Sequence, residues 1–146
     1  MTAGDGLSVR AAVPEDVPAL RALFLRARRD SFAWQDGRAW QLEDFDAQTR
    51  GERLWVAVHG LRVVGFIALW EPDDFIHHLY IDRPWRRRGV GGRLLKGLPG
   101  WSATRFRLKC LCRNAAALAF YRAGGFAEVG SGGEGDEAYL LLESAP

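Results

Sequence analysis

The sequence predicts a single domain of the α/β (α+β) class, and its length, composition and periodicity all support this. At 146 residues the chain has the length of one ordinary domain and can bury roughly two thirds of the surface it exposes when unfolded. Hydrophobic residues make up 48% and charged residues 26%, which is typical of a globular protein. Stretches with the two-residue period of strands alternate with stretches that have the period of helices. The sequence therefore predicts one hydrophobic core formed by both helices and strands.

The first half of the chain predicts mostly β structure after an initial strand and one or two helices. In chain order the predicted elements are a strand at 7–11, a helix within 13–32, a second helix within 41–50, two strands within 54–70 and a strand at 75–82. The first helix carries Leu20, Leu23 and Leu25 on its apolar side. The two strands of 54–70 are joined at His59-Gly60, where glycine supplies the conformation of a hairpin turn.

The second half alternates helices with strands. Its predicted elements are a helix at 90–98, a strand at 104–112, a helix at 114–125 and two final strands around 126–131 and 137–143. Pro99-Gly100 ends the first of these helices, while Asn114 begins the next and Gly124-Gly125 ends it. The predicted order is therefore β α α β β β α β α β β in one domain, residues 1–146.

The charge balance argues against a nucleic-acid-binding protein. Twenty lysines and arginines stand against 18 acidic residues, a net charge of +2, so the basic character is local. The first ten residues lack an apolar segment for a signal or anchor, and no later run reaches the ~18 apolar residues of a membrane span. Cys110 and Cys112 lie two apart on one predicted strand face, which favours neither a disulfide nor a zinc site and indicates a reducing, cytoplasmic location.

A run of arginines and glycines between a strand and a helix predicts an anion site. The run is Arg86, Arg87, Arg88, Gly89, Val90, Gly91 and Gly92. The first N–H groups of a helix have no internal partner, glycines permit close approach, and arginines add charge-assisted hydrogen bonds, so a diphosphate would fit. A solvated basic turn is the structural alternative. A dinucleotide fingerprint matches less well, because Leu94 stands where a third glycine is required.

A second pattern lies on the helix that Asn114 begins. Asn114 and Tyr121 are seven residues apart, which places them on one helix face about 10 Å apart along the axis. They can contact one extended ligand. Taken separately, each is better explained by a structural role, Asn114 as a helix cap and Tyr121 as a core aromatic beside Phe120.

Together these segments resemble the GNAT superfamily of acetyl-CoA-dependent N-acetyltransferases. The family's central pattern, Arg/Gln-x-x-Gly-x-Gly/Ala after a strand, matches Arg86-x-x-Gly89-x-Gly91. Its later pattern of Asn, small residues, an aromatic, Tyr and a Gly-Phe pair matches "NAAALAFYRAGGF". The resemblance extends from Leu7 to Leu142. It implies a mixed, mostly antiparallel central sheet of about 6–7 strands flanked by about 4 helices.

The resemblance also implies a function and roles for particular residues. The expected reaction is direct transfer of the acetyl group of acetyl-CoA to a primary amine, without a metal. Tyr121 would protonate the leaving thiolate, with a backbone N–H near Leu79 holding the developing oxyanion. The residues expected to contact the co-substrate are Leu79, Tyr80, Ile81, Arg86, Arg87, Arg88, Gly89, Val90, Gly91, Gly92, Asn114 and Tyr121.

A base for the amine is expected on the strand at 75–82, where this sequence has histidines and no glutamate. Strand alternation places His77 on the face of Phe75, Leu79 and Ile81, and His78 on the opposite face. Their reference pKa near 6.5 suits a proton acceptor. We favour His77 as the catalytic base and interpret His78 as a packed strand residue.

Two other functions remain open at the level of sequence. The same fold could bind acyl-CoA without turnover and act through a partner. Nucleic-acid binding through the clustered arginines is disfavoured by the modest net charge. The expected acceptor is an amine on a small molecule or a peptide, no membrane or nucleic-acid partner is expected, and the family makes a homodimer compatible with the sequence.

Overall fold

The computed structural model describes residues 6–145. Its strands are β1 (Leu7–Ala11), β2 (Arg53–His59), β3 (Arg62–Trp70), β4 (Phe75–Ile81), β5 (Arg107–Leu111), β6 (Phe126–Gly132) and β7 (Tyr139–Ser144). Its helices are α1 (Val17–Ser31), α2 (Asp44–Gln48), α3 (Val90–Lys96) and α4 (Ala115–Ala123). The order of the elements is the predicted one. Residues 1–5 and 146 of the predicted domain lie outside the described residues. The first ten residues, which were considered as a signal or anchor, are therefore described only from residue 6 onward.

One sheet contains all seven strands, in the order β1-β2-β3-β4-β5-β7-β6. Neighbouring strands are antiparallel except β4 and β5, which are parallel. Phe75 and Arg107 are the one register pair that joins β4 to β5 in the described part of the chain. Beyond that pair the two strands separate, which opens the middle of the sheet. The predicted mixed, mostly antiparallel sheet flanked by four helices is confirmed.

The helices cover the two faces of the sheet, and each face has its own apolar core. On one face α1 and α2 pack Leu23, Phe24 and Phe45 against β2 and β3. On the other face α3 and α4 contribute Leu94 and Leu118 to a second core, to which β2 and β3 also contribute residues together with the other strands. Burying apolar surface on both faces at about 25 cal/mol per Å² drives the sheet and the helices to form together.

Some predicted details differ from the structure. The apolar side of α1 centres on Leu20, Leu23, Phe24 and Ala27, while Leu25 is only half-buried. The strand β5 ends at Leu111, so Cys110 is buried and Cys112 lies exposed beyond the strand. Both cysteines are free thiols. Among residues 6–145, none of the helices combines the length and the apolar character that crossing a bilayer requires.

Candidate active site

A cleft of about 1020 Å³ lies where β4 and β5 separate. Its walls come from the end of α1, from β4, from the loop between β4 and α3, from β5 and from α4. The lining includes every predicted site residue except Arg88 and Gly92. The Arg88 guanidinium instead lies 5.1 Å from the centre of the Trp85 ring, outside the cleft. The separated strands thus bring together residues that are 44 positions apart, from His77 to Tyr121.

A buried carboxylate fixes the end of β4, where the arginine-rich loop begins. Asp82 accepts hydrogen bonds from the Arg83 backbone N–H at 3.1 Å and from the Arg26 guanidinium at 3.1 Å. A third bond comes from Arg62 at 3.3 Å. Burial acts most strongly on the pKa of Asp82 and raises it, but the two arginines and the backbone N–H together lower that pKa below its usual value. Asp82 therefore stays ionised and anchors the loop.

The loop then turns sharply through two left-handed residues. Arg87 has φ = 63° and Gly89 has φ = 78°, while Arg86 donates a hydrogen bond from Nε to the Ile81 carbonyl at 3.2 Å. A Cβ at Gly89 would meet no atom within 4 Å, so glycine is required there for its backbone conformation and leaves open space. The open, cationic loop is suited to an anion.

Gly91 is required for a different reason, which concerns helix packing. A Cβ at Gly91 would lie 2.9 Å from the ring of Phe120, so this glycine lets α3 approach α4 closely. The helix α4 begins at Asn114, whose Oδ1 accepts a hydrogen bond from the Ala117 N–H at 3.3 Å. The structural role considered for Asn114 is thus present, and its side-chain NH₂ is the group with donors for a ligand in the cleft.

Tyr121 lies two helical turns after Asn114 and contributes to the same wall of the cleft. Its ring packs edge-on against Phe126, with centroids 5.5 Å apart, and against Phe120 at 5.2 Å. Burial is the main cause that raises the pKa of the Tyr121 hydroxyl well above its usual value, and Cys110 and Tyr80 raise it further. The hydroxyl therefore carries its proton at neutral pH and can donate it.

The alternation predicted for β4 is wrong at His77. The pairing with β3 shifts between Ala68 and Leu69, which leaves His77 as the extra residue of a β-bulge. Ile76, Leu79 and Ile81 accordingly share one core, and His77 does not follow their face. Its ring lies instead against the ring of His78, with centroids 3.9 Å apart. The bulge therefore brings two consecutive histidines together at the cleft.

The half-exposed His77 is paired with a carboxylate that the sequence pattern did not reveal. Its Nδ1 lies 2.7 Å from Oε2 of Glu52, whose side chain is only 6% exposed. Burial raises the pKa of Glu52, while the proximity of His77 opposes that rise. A carboxylate at Nδ1 fixes the orientation of the ring and leaves Nε2 as the second functional atom.

His78 is buried, as predicted, among aromatic rings. Its ring centre is 5.2 Å from that of Phe24 and 6.0 Å from that of Tyr80. Burial, assisted by His77, lowers the pKa of His78 to about 3, and burial raises the pKa of Tyr80 to about 12. Both side chains are therefore uncharged at neutral pH. Within residues 6–145, Nε2 of His78 has no hydrogen-bond partner.

Glu52 and Asp82 are the important residues that sequence reasoning missed. Glu52 stands alone before β2, 25 positions from His77, and no motif surrounds it. Asp82 does carry a signal, because an acidic residue before a proline-containing turn is a common cap. Its buried pairing with two arginines from distant elements has no signal in the sequence.

The fold is that of an acetyltransferase domain. The chain belongs to the acetyltransferase (GNAT) family, whose model matches residues 17–126. This match confirms the resemblance that the arginine-glycine run and the helix of Asn114 and Tyr121 indicated.

Known proteins extend this similarity over most of the chain. An uncharacterized N-acetyltransferase, YafP of Escherichia coli strain K12, is 31% identical over 101 residues, which are 64% of this chain and 66% of that protein. The PaiA N-acetyltransferase of Thermoplasma acidophilum, solved in complex with coenzyme A, has a TM-score of 0.77 at 17% identity and covers 94% of this chain and 98% of its own. An acetyltransferase of Thermus thermophilus has a TM-score of 0.73 at 27% identity, covering 94% and 95% respectively.

Proposed function

We propose that the protein is an N-acetyltransferase that moves the acetyl group of acetyl-CoA directly to a primary amine on a small molecule or a peptide. The observation that carries this proposal is the cleft between β4 and β5. One continuous space contains a cationic glycine loop, a protonated tyrosine and a histidine paired with a carboxylate. The coenzyme A bound by the Thermoplasma relative supports the choice of co-substrate.

The residues at the loop fit a diphosphate in charge and space. Arg86, Arg87 and Gly89 line the cleft, and the side of Gly89 is open. We assign the diphosphate to the backbone and arginines of this loop, from Arg86 to Gly92, and the pantetheine arm to Leu79, Tyr80, Ile81 and Asn114. Arg88 and Gly92 lie outside the cleft lining, so we expect them to contribute through the backbone and the overall charge rather than through side-chain contact.

Acetyl-CoA supplies an acetyl group activated as a thioester. The neutral amine nitrogen forms a bond to the carbonyl carbon as the carbon–sulfur bond breaks, and Tyr121 donates its proton to the departing sulfur. Its raised pKa keeps that proton in place until it is needed, and the proton that the attacking nitrogen still has to lose as the amide forms restores the tyrosine through solvent. The Leu79 backbone N–H donates to the carbonyl oxygen as negative charge develops there. These groups are held by β4 and α4, so little reorganisation is needed during the reaction.

His77 takes the proton from the acceptor amine. A lysine-like amine with a pKa of about 10.4 is mostly protonated at neutral pH and cannot attack until it loses a proton. Glu52 holds Nδ1 of His77, so Nε2 is the atom that receives the proton. His77 is the exposed member of the histidine pair and is therefore the one that an acceptor can reach.

Release of free thiol from acetyl-CoA, followed over a panel of amines, tests the proposal. We expect thiol release that depends on one class of amine, together with stabilisation of the fold by acetyl-CoA in a thermal-shift experiment. Stabilisation without turnover of any amine would favour the non-catalytic acyl-CoA-binding module. No stabilisation at millimolar acetyl-CoA would contradict both functions.

The free thiols support a cytoplasmic location, and light scattering would establish whether the protein is a homodimer.

A further inference from the structure

Glu52, His77 and His78 place three metal-ligating side chains around one point. Their ligand atoms, a carboxylate oxygen and two ring nitrogens, all lie within 4.8 Å of one another. A tetrahedral zinc-type ion has bonds of about 2.0–2.2 Å and so needs ligand atoms about 3.3–3.5 Å apart. Small side-chain rotations would close the difference, because the bulge already directs both rings to the same place.

Two atoms of this cluster are buried without a partner. Oε1 of Glu52 and Nε2 of His78 have no hydrogen-bond partner among residues 6–145, and the side chains that carry them are more than nine-tenths buried. Leaving a buried polar atom unsatisfied costs about 1–3 kcal/mol, so two such atoms within one cluster of metal-ligating side chains indicate a missing ligand. A carboxylate oxygen can only accept, which selects a cation or a donor as that ligand.

The ligand set discriminates among cations. Two imidazole nitrogens and one carboxylate oxygen match zinc and its first-row neighbours, whereas magnesium and calcium prefer oxygen ligands throughout. The half-exposed His77 provides access from the cleft and leaves a fourth position open on that side. The Glu52 carboxyl group, once deprotonated, supplies the negative charge that attracts a divalent ion, and the ion in turn favours the deprotonated form.

We propose that Glu52, His77 and His78 form a binding site for one divalent cation of the zinc class, with a fourth position open to the cleft. The ion occupies the place from which the proposed acceptor approaches, so it acts as an inhibitor of transfer and not as a cofactor. Binding itself requires only these three side chains and does not depend on the proposed function.

Metal titration of the full-length, untagged protein after chelator treatment tests this site. We expect zinc to bind with a stoichiometry of one per chain, and cobalt to give the visible absorption of a tetrahedral nitrogen and oxygen site. Magnesium and calcium should not compete. Glu52→Gln, which preserves the shape of the side chain, and His78→Ala should each weaken zinc binding by about tenfold or more.

Two control variants separate this site from adventitious binding. His59→Ala removes a histidine that contacts the Trp85 ring away from the cluster, and Cys112→Ser removes the exposed thiol. Both should bind zinc like the parent chain. Should His78→Ala unfold, Glu52→Gln alone decides the result. Absence of one-to-one binding, or binding unchanged in Glu52→Gln, would overturn the proposal and leave an ordered water as the partner of the two buried atoms.

Discussion

The two ends of the cleft are built in different ways. The arginine end, Arg86 to Gly91, is one contiguous stretch whose shape follows from a left-handed glycine and a close helix contact. The histidine end, made of Glu52, His77 and His78, joins residues 25 positions apart through a β-bulge. The first can be predicted from local sequence, whereas the second exists only once three strands have paired.

The two ends also differ in their energetic cost. At the arginine end Arg87 and Arg88 are exposed, so that water solvates their charge at little cost, and the half-buried Arg86 donates to the Ile81 carbonyl. At the histidine end a carboxylate and an imidazole are buried with atoms that have no hydrogen-bond partner among residues 6–145, which destabilises the fold unless a ligand satisfies them. A cost of this kind beside a cleft is the reason that we propose a functional role for the histidine end.

The largest effect is expected from Tyr121→Phe. Tyr121 lines the cleft that contains both ends, and the substitution tests whether the acetyl transfer takes place there. The ring still packs against Phe126, but the proposed proton donor is lost, so kcat should fall by about 10²-fold or more with little change in acetyl-CoA affinity. Steady-state kinetics combined with a binding measurement checks this. An unchanged kcat would mean that water protonates the thiolate and that Tyr121 is structural.

The next largest effect is expected from His77→Ala, assayed in chelator-treated protein. Loss of the base should lower kcat/KM for the amine by about tenfold or more, and added imidazole should restore part of it. His59→Ala is the matched control, because it removes a histidine outside the cleft. An unchanged rate in His77→Ala would show that a water chain removes the proton and would leave the bulge without a catalytic role.

The fold was largely predictable from the sequence because its signals are local. The period of each element, the cap at Asn114 and the stop at Gly124-Gly125 all act within a few residues. The facing of His77 was not predictable, because a single extra residue in β4 shifts the alternation and only the pairing with β3 reveals it. The role of Glu52 was not predicted for a similar reason, because its contact with His77 depends on the assembled sheet.

A smaller effect, on affinity, is expected from charge reversal at the arginine end. Arg87→Glu should weaken acetyl-CoA binding by about tenfold, because it replaces the proposed charge-assisted hydrogen bond at the cleft by repulsion of the diphosphate. Arg88→Glu makes the same change in net charge next to Trp85, outside the cleft lining, and should have a smaller effect. Titrations of acetyl-CoA at two salt concentrations distinguish a direct contact between Arg87 and the diphosphate from a general electrostatic effect of the loop. Equal losses in both variants would mean that the loop acts only through its net charge.

The smallest effect is expected from Asp82→Asn, which removes the anchor of the arginine end. The pKa of Asp82 is lower in the folded chain than its usual value, so its stabilisation is present above the unfolded pKa of about 3.9 and is lost as pH falls through the folded value. Because Arg26 and Arg62 are more than half exposed, water screens these pairs, and we expect a loss of only about 1 kcal/mol at pH 7. The difference in stability between the variant and the parent chain should shrink as pH falls toward 3.

Denaturant unfolding at a series of pH values measures this difference, and Asp36→Asn is its control. Asp36 pairs with Arg38 on a fully solvated surface, so removing its charge should leave the midpoint almost unchanged at every pH. A difference for Asp82→Asn that stays constant down to pH 3 would show that the asparagine disturbs packing instead of removing a charge. A difference that vanishes at low pH would show that ion pairing at the end of β4 holds the loop. At the histidine end, by contrast, His77 is the group among the described residues that opposes the effect of burial on Glu52.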